Sequence, residues 1–174
     1  PFYWIAEAAS EIGINVLLAG QGCDELFGGY HRYLREYASL GVKGLEDVLY
    51  HDVVSSHEVN FERDNKVCSF HGVELRLPFA DYDLVLFSLG VPINLKIASM
   101  TDHLRKRILR EVAKRIGLPP IIYNARKRAI QYATGTDKIL RKLASEQGLV
   151  LRDFVKKSFQ KGKEIYIKDS LKAI

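Results

Sequence analysis

No apolar run in the 174-residue chain approaches the ~18 to 20 residues that a membrane span needs. The opening Pro1-Phe2-Tyr3-Trp4 carries no basic stretch of the sort that begins a secretory signal. Cytoplasm is therefore the expected compartment. Cysteine is scarce, with Cys23 and Cys68 alone and no CxxC, which excludes a disulfide scaffold and a thiol-based zinc or redox motif; both read as free thiols. The five histidines, His31, His51, His57, His71 and His103, show no metal-ligand spacing. Glycine and proline are too few for collagen or a disordered tail, and there is no internal repeat. No initiator Met is present, and the abrupt start on an aromatic, helix-like stretch reads as a piece of something longer. What is there, 47% apolar and 27% charged, makes a globular domain able to bury about 70% of its unfolded surface.

The net charge of +5 hides a division. Residues 1–95 hold 6 Lys/Arg against 14 Asp/Glu, and residues 96–174 hold 20 against 7. An acidic half suits a hard cation and a basic half suits phosphate or nucleic acid, unless the cations merely form a solvated face.

Phe2 to Ile12 places Ile5, Ala8, Ala9 and Ile12 at helical spacing and stops at Gly13. The period then changes: Asn15-Val16-Leu17-Leu18-Ala19, bounded by glycines, predicts a strand buried on both faces of a parallel sheet. The loop Gly20 to Tyr30 therefore leaves the carboxyl end of a strand, where open α/β sheets bind ligands. No further strand is expected. Tyr30 to Ala38, Leu45 to Ser56 and Asp81 to Leu89 read as helices, as do Asp137 to Ala144, Val150 to Phe159 and Glu164 to Leu171. The clearest helix spans Thr101 to Ile116, with Thr101 or Asp102 as cap and Leu104, Ile108, Val112 and Ile116 as its stripe. Its other face holds Arg105, Lys106, Arg107, Arg110, Lys114 and Arg115, which as a solvated exterior would need no ligand. A second basic stretch, Arg126-Lys127-Arg128, sits in a loop and has no such explanation.

The pattern GxGxDExxGGY supplies close backbone N–H groups and two carboxylates, which suits phosphate oxygens and a Mg²⁺ held together. It is neither a dinucleotide fingerprint, since Asp24 and Glu25 would repel pyrophosphate without a cation, nor a Walker A loop. A lysine of the 126–128 loop facing that site would stabilise charge developing at phosphorus; spacing does not choose Lys127 over Arg126 or Arg128.

Four segments in order carry a family resemblance: Leu17-Leu18-Ala19-Gly20-Gln21-Gly22-Cys23-Asp24-Glu25-Leu26-Phe27-Gly28-Gly29-Tyr30, Gly72-Val73-Glu74-Leu75-Arg76-Leu77-Pro78-Phe79-Ala80-Asp81, Leu104 to Glu111, and Arg126-Lys127 before Gln131-Tyr132. They resemble the synthetase domain of asparagine synthetases. The resemblance implies an α/β fold with an adenine-nucleotide-hydrolase-like (PP-loop) parallel sheet, here incomplete, and a predominantly helical C-terminal part. The whole chain, 1–174, would be one domain fragment, with the nucleotide-site part over 1–40 and the helical part over 41–174. The implied reaction has two steps: ATP adenylates the aspartate side-chain carboxylate with release of pyrophosphate, then ammonia displaces AMP. ATP and Mg²⁺ are the implied cofactors. Aspartate and ammonia, free or glutamine-derived, are the implied substrates, with a glutaminase domain or subunit as partner. By position, Ala19 and Gly20 match the nucleotide-contacting strand end, Gly22 belongs to the same loop, and Asp24 matches the Mg²⁺ ligand. Lys127 matches the lysine that stabilises the adenylation transition state. Glu74 and Arg76 match an ExRxPF segment whose Glu is catalytic in related β-lactam synthetases; an ion pair between Glu74 and Arg76 is the structural alternative. Glu25 and Arg76 are the expected substrate contacts.

The chain departs from the family at several places. Gln21 stands at a catalytic position where glutamate is commoner, and a neutral amide takes no proton from ammonium. Cys23 replaces Ser or Ala, and Ala80 replaces Leu. The SGGxDS loop that cradles pyrophosphate is not in the sequence. By itself the chain is expected to have no synthetase activity. Competing readings are a PP-loop-type nucleic-acid-binding or RNA-modifying module and a catalytically silent relative. Against RNA, the basic helix face lacks interleaved aromatics for stacking bases.

Overall fold

The computed structural model describes residues 1–127 and 130–172, with 130–131 and 163–172 described as backbone. The chain divides into two compact units, Pro1–Lys127 and Arg128–Ile174.

The first unit opens with helix α1 (Phe2–Glu11), which buries Ala6 and Ala9 and ends where Gly13 and Ile14 donate back to Ser10 and Ala9. Strand β1 (Val16–Leu18) follows, then the short helix α2 (Cys23–Phe27) and the long α3 (Arg32–Ser56), broken at Gly41. A π-helical turn, His57–Phe61, leads into α4 (Glu62–Phe70), and β2 (Glu74–Arg76) pairs with β1 in parallel, Leu17 opposite Leu75. After a 3₁₀ turn at Pro78–Ala80 come α5 (Tyr82–Leu89), α6 (Ile93–Lys96), α7 (Arg107–Arg115) and α8 (Pro120–Tyr123). The described part of the first unit is thus mainly helical around a small parallel two-stranded sheet.

Two apolar clusters hold it. Tyr33, Leu34, Leu45 and Leu49 of α3 pack with Ile93 and Ile97, and Ala6, Ala9, Cys68 and Val73 bind α1 to α4 and the strand entry. Each fully buried Leu or Ile contributes about 1.5–3 kcal/mol relative to exposure.

In the second unit, α9 (Ile130–Ala133), α10 (Thr136–Glu146) and α11 (Leu151–Lys172) follow one another. An Arg141–Asp137 ion pair at 2.8 Å spans one turn of α10.

Four expectations are corrected. The predicted strand exists, but it is not buried on both faces: Val16 is 38% and Leu18 74% exposed, and the two point to the same face of the strand. A second strand does follow the loop, three residues long and with only Leu75 apolar, too short to show a period. The helix expected from Thr101 begins only at Arg107, because Asp102 caps a turn and not a helix: its Oδ1 accepts from the N–H groups of Leu104 and Arg105. The two helices expected after Val150 are one, α11. Among the described residues no helix is long and apolar enough to cross a membrane.

Candidate functional site

Beyond β1, Ala19 still follows the sheet, its N–H donating to the Arg76 carbonyl at 3.0 Å. Gly20 and Gln21 turn the chain, and Gly22 precedes α2. Asp24 and Glu25 therefore sit in the first turn of α2, where exposed N–H groups favour carboxylates. The paired glycines after α2 answer different demands. Gly28 has φ +70°, and a Cβ there would meet Ile97 at 2.8 Å. Gly29 has ordinary φ, but its Cβ would stand 1.8 Å from Asp24 Oδ1 and 2.4 Å from Lys106 Cε. A side chain at 29 would occupy the space in which Asp24 and Lys106 meet.

Two ammonium groups converge on Asp24. Lys106 Nζ lies 2.9 Å from Oδ1, an ion pair without hydrogen-bond alignment, and Lys127 Nζ lies 3.6 Å from Oδ2. Lys106 Nζ also donates to Cys23 Sγ at 3.1 Å, and Lys127 Nζ stands 5.2 Å from the centre of the Tyr30 ring. Lys106, Lys127, Tyr123 and Arg110 line one cavity of about 210 Å³. One carboxylate against two ammonium groups leaves a surplus positive charge, which attracts an anion.

Burial opposes charge on Lys106, but Cys23 and Asp24 beside it more than compensate, so its pKa sits above the ordinary lysine value. Burial pushes the Cys23 thiol up, with Lys106 offsetting only part of the shift, so the thiol is a small packed group and not a poised nucleophile. Burial, then the hydrogen bond to Glu25, raises Tyr30 beyond the ordinary phenol.

The remaining candidates lie around this pair. Glu25 is buried, accepting from Tyr30 Oη at 2.6 Å and Asn60 Nδ2 at 3.2 Å, and it lines a separate cavity of about 460 Å³ with Arg32 and Asp52. The Gln21 amide donates to Asp64, a buried carboxylate that Arg63 also holds at 2.8 Å. Glu74 and Arg76 pair with each other at 2.8 Å on β2 with both side chains exposed; each is the cause of the other's shift, Glu74 down and Arg76 up. Gly20 has open space where a Cβ would stand. Arg128 lies outside the described residues.

Sequence spacing puts Lys106 on the outer face of a helix, whereas it stands in a turn before α7 with φ +50°. The pattern holds no signal for this, because left-handed turns favour glycine and position 106 has none. Asp64 lies outside every motif that spacing singles out, whereas Tyr30 closes the GxGxDExxGGY pattern without a role of its own there. Arg105 and Arg110, two cations of the supposed solvated face, donate to backbone carbonyls.

Among the described residues no three His, Cys, Asp or Glu side chains gather as a metal-holding group. A lone carboxylate is poor for a protein-only ion site, yet it fits Mg²⁺, which is commonly held by one or two carboxylates, waters and phosphate oxygens.

Residues 1–43 and 36–162 match the family described as Asparagine synthase. A Methanocaldococcus jannaschii protein carrying the name of a glutamine-hydrolysing asparagine synthetase is 36% identical over 177 residues, 85% of this chain and 32% of its own length. Asparagine synthetase domain-containing protein 1 of Mus musculus is 34% identical over 127 residues, 72% of this chain and 20% of its own. Asparagine synthetase B of Escherichia coli is 31% identical over 111 residues, 64% of this chain and 19% of its own. The chain thus spans a third or less of these relatives.

Proposed function

Because the chain belongs to the asparagine synthase family, we propose that it forms the Mg·ATP-facing part of an AMP-producing carbon–nitrogen ligase of the PP-loop class, acting on an aspartate-like carboxylate. The observation that supports this reading is the convergence of Lys106 and Lys127 on Asp24 beside the loop that leaves β1.

Asp24 offers the single carboxylate for Mg²⁺, and Gly20 keeps the approach free of a side chain, whereas Gly22 turns the chain at φ +86° with its Cβ position against Phe61 and Phe79. Bound Mg²⁺ would draw charge from the phosphate oxygens. Lys127 and Lys106 then face the oxygens where charge grows as the substrate carboxylate attacks phosphorus, and a preorganised ammonium in a partly dry cleft acts there without reorganising. The Ala19 N–H is engaged with β2, so Ala19 shapes the floor of the site and donates nothing to the nucleotide. Glu25, on the wall of the 460 Å³ cavity, is the proposed substrate contact, with Arg76 a second. Glu74 is assigned the catalytic carboxylate, for which its pairing with Arg76 must open. Gln21 takes no proton from ammonium; it orients as a polar group beside Asp64.

A chimaera carrying residues 1–174 in place of the matching segment of the M. jannaschii relative tests this. It is expected to exchange labelled pyrophosphate into ATP in an aspartate-dependent way, and Lys127→Ala to abolish exchange while Mg·ATP still binds. Exchange that survives Lys127→Ala removes that lysine from the reaction, and exchange without aspartate removes aspartate as acceptor. The 174-residue chain alone is expected to show none.

A further inference from the structure

Lys106 and Lys127 reach Asp24 from irregular segments, 97–106 after α6 and 124–127 after α8; the Lys106 carbonyl accepts the first bond of α7, from Arg110 N at 3.1 Å. Both segments are tied to one side chain. Arg110, inside α7, donates from Nε to the Arg105 carbonyl at 2.6 Å, from Nη2 to the Leu104 carbonyl at 2.6 Å and from Nη1 to the Tyr123 carbonyl. The first two carbonyls immediately precede Lys106, and the third belongs to the last residue of α8, just ahead of the segment that carries Lys127. Arg105, itself buried, passes the tie on: its Nε donates to the Gly29 carbonyl at 3.0 Å, in the loop against which Asp24 packs.

Arg105 and Lys106 both hold left-handed φ, +52° and +50°, a conformation that costs an L-residue about 1–2 kcal/mol and persists only where its surroundings impose it. Asp102 supplies the rest of that imposition. Its Oδ1 accepts from Leu104 N at 3.0 Å and Arg105 N at 2.9 Å, and its Oδ2 accepts from Ala98 N at 2.9 Å. A planar fork with N–H groups in fixed directions can hold three carbonyls at once, which a lysine ammonium on a flexible stem does not reproduce.

We propose that Arg110 is a positioning residue: its guanidinium fastens the two lysine-bearing segments together so that both ammonium groups face the Asp24 carboxylate, while Asp102 fixes only the Lys106 half. Its bearing on function rests on the phosphate-facing reading of the preceding subsection. The fastening itself is independent of any nucleotide. Three of the guanidinium's five N–H groups are spent on backbone carbonyls, so Arg110 acts through the lysines and not as a free fork for a ligand.

The test is competitive acetylation of the 174-residue chain with trace acetic anhydride, each lysine read by mass spectrometry in wild type, Arg110→Lys and Asp102→Asn. Arg110→Lys is expected to raise the reactivity of Lys106 and Lys127 about tenfold, the factor that ~1.4 kcal/mol of lost restraint carries. Lys96, buried on α6 outside both segments, should stay unchanged, as should exposed Lys43. Asp102→Asn, whose amide oxygen keeps the bonds to Leu104 and Arg105 and loses the one to Ala98, is expected to raise Lys106 alone and by less. The proposal is overturned if Arg110→Lys leaves either Lys106 or Lys127 at its wild-type rate. It is equally overturned if buried Lys96 rises with them, since Arg110 would then support the fold at large, or if Asp102→Asn moves Lys127 as much as Lys106. Repeating the wild-type labelling with Mg·ATP tests the ligand reading separately: protection of the two lysines supports it, and no protection removes that reading while the fastening stands.

Discussion

Replacing Gly29 by alanine is the sharpest perturbation of the site, because its backbone has no need of glycine and only the space beside it does. The added Cβ would stand 1.8 Å from Asp24 Oδ1, 2.7 Å from Asp24 Cγ and 2.4 Å from Lys106 Cε. Unbonded heavy atoms settle at about 3.5–4 Å, so Asp24 must retreat by more than an ångström and its 2.9 Å contact with Lys106 is lost. Overpacking of this kind costs ~1–3 kcal/mol. The same change returns ~0.4–1 kcal/mol through the unfolded chain, so with a urea slope of ~2 kcal/mol/M the unfolding midpoint falls by up to about 1.3 M. Gly90→Ala is the matched control. Its φ is −79° and its nearest neighbour, the Phe87 carbonyl oxygen, is 3.5 Å away, so alanine there is expected to stabilise by ~0.4–1 kcal/mol through the unfolded chain. Urea titrations followed by circular dichroism read both. A Gly29→Ala midpoint as high as that of Gly90→Ala would refute the packing of Asp24 and Lys106 against that glycine.

Lys96, only 4% exposed, has its pKa pushed down to about 8 by burial, with Glu46 opposing the shift. The unfolded chain keeps that proton up to about 10.5, so wild-type stability rises between pH 8 and 10.5 and Lys96 costs most below 8, by ~3 kcal/mol at most. Lys96→Met should therefore be the more stable protein at pH 7, with the gap narrowing by pH 10; a constant gap in urea midpoints across that range contradicts the buried ammonium. Cys23 and Cys68 are free, buried and raised by burial, so neither should react with an aromatic disulfide reagent in native buffer and both should react in denaturant. Rapid native labelling of Cys23 would show that its packing with Lys106 is open.

Much of the α2 loop is legible in the sequence because its residues are diagnostic one by one. Glycines at 22, 28 and 29 mark a backbone that must turn or be approached closely, and Asp24 stands between them at a helix start. The Lys127 loop is legible because its cations lack a helical face. Lys106 is not legible, since its role comes from a left-handed turn imposed by partners from Ala98 to Tyr123, and local pattern carries no record of such long-range ties. Strand β2 is hidden for another reason. Its outer residues, Glu74 and Arg76, pair with each other on the exposed side, so only Leu75 remains as an apolar signal. The exposed apolar side chains of β1 contradict the burial that its composition suggests, because composition reports the preference for a covered face and says nothing of what covers it.

Phosphorus-31 spectra of Mg·ATP titrated with the 174-residue chain bear most directly on Asp24 and the two lysines. The β and γ signals should broaden and shift with wild-type protein, at least tenfold more weakly with Asp24→Asn, and more weakly again when Lys106 and Lys127 are both replaced by methionine. Identical spectra with wild type and these variants, or no perturbation by wild type at all, would contradict a phosphate-facing role for this cluster.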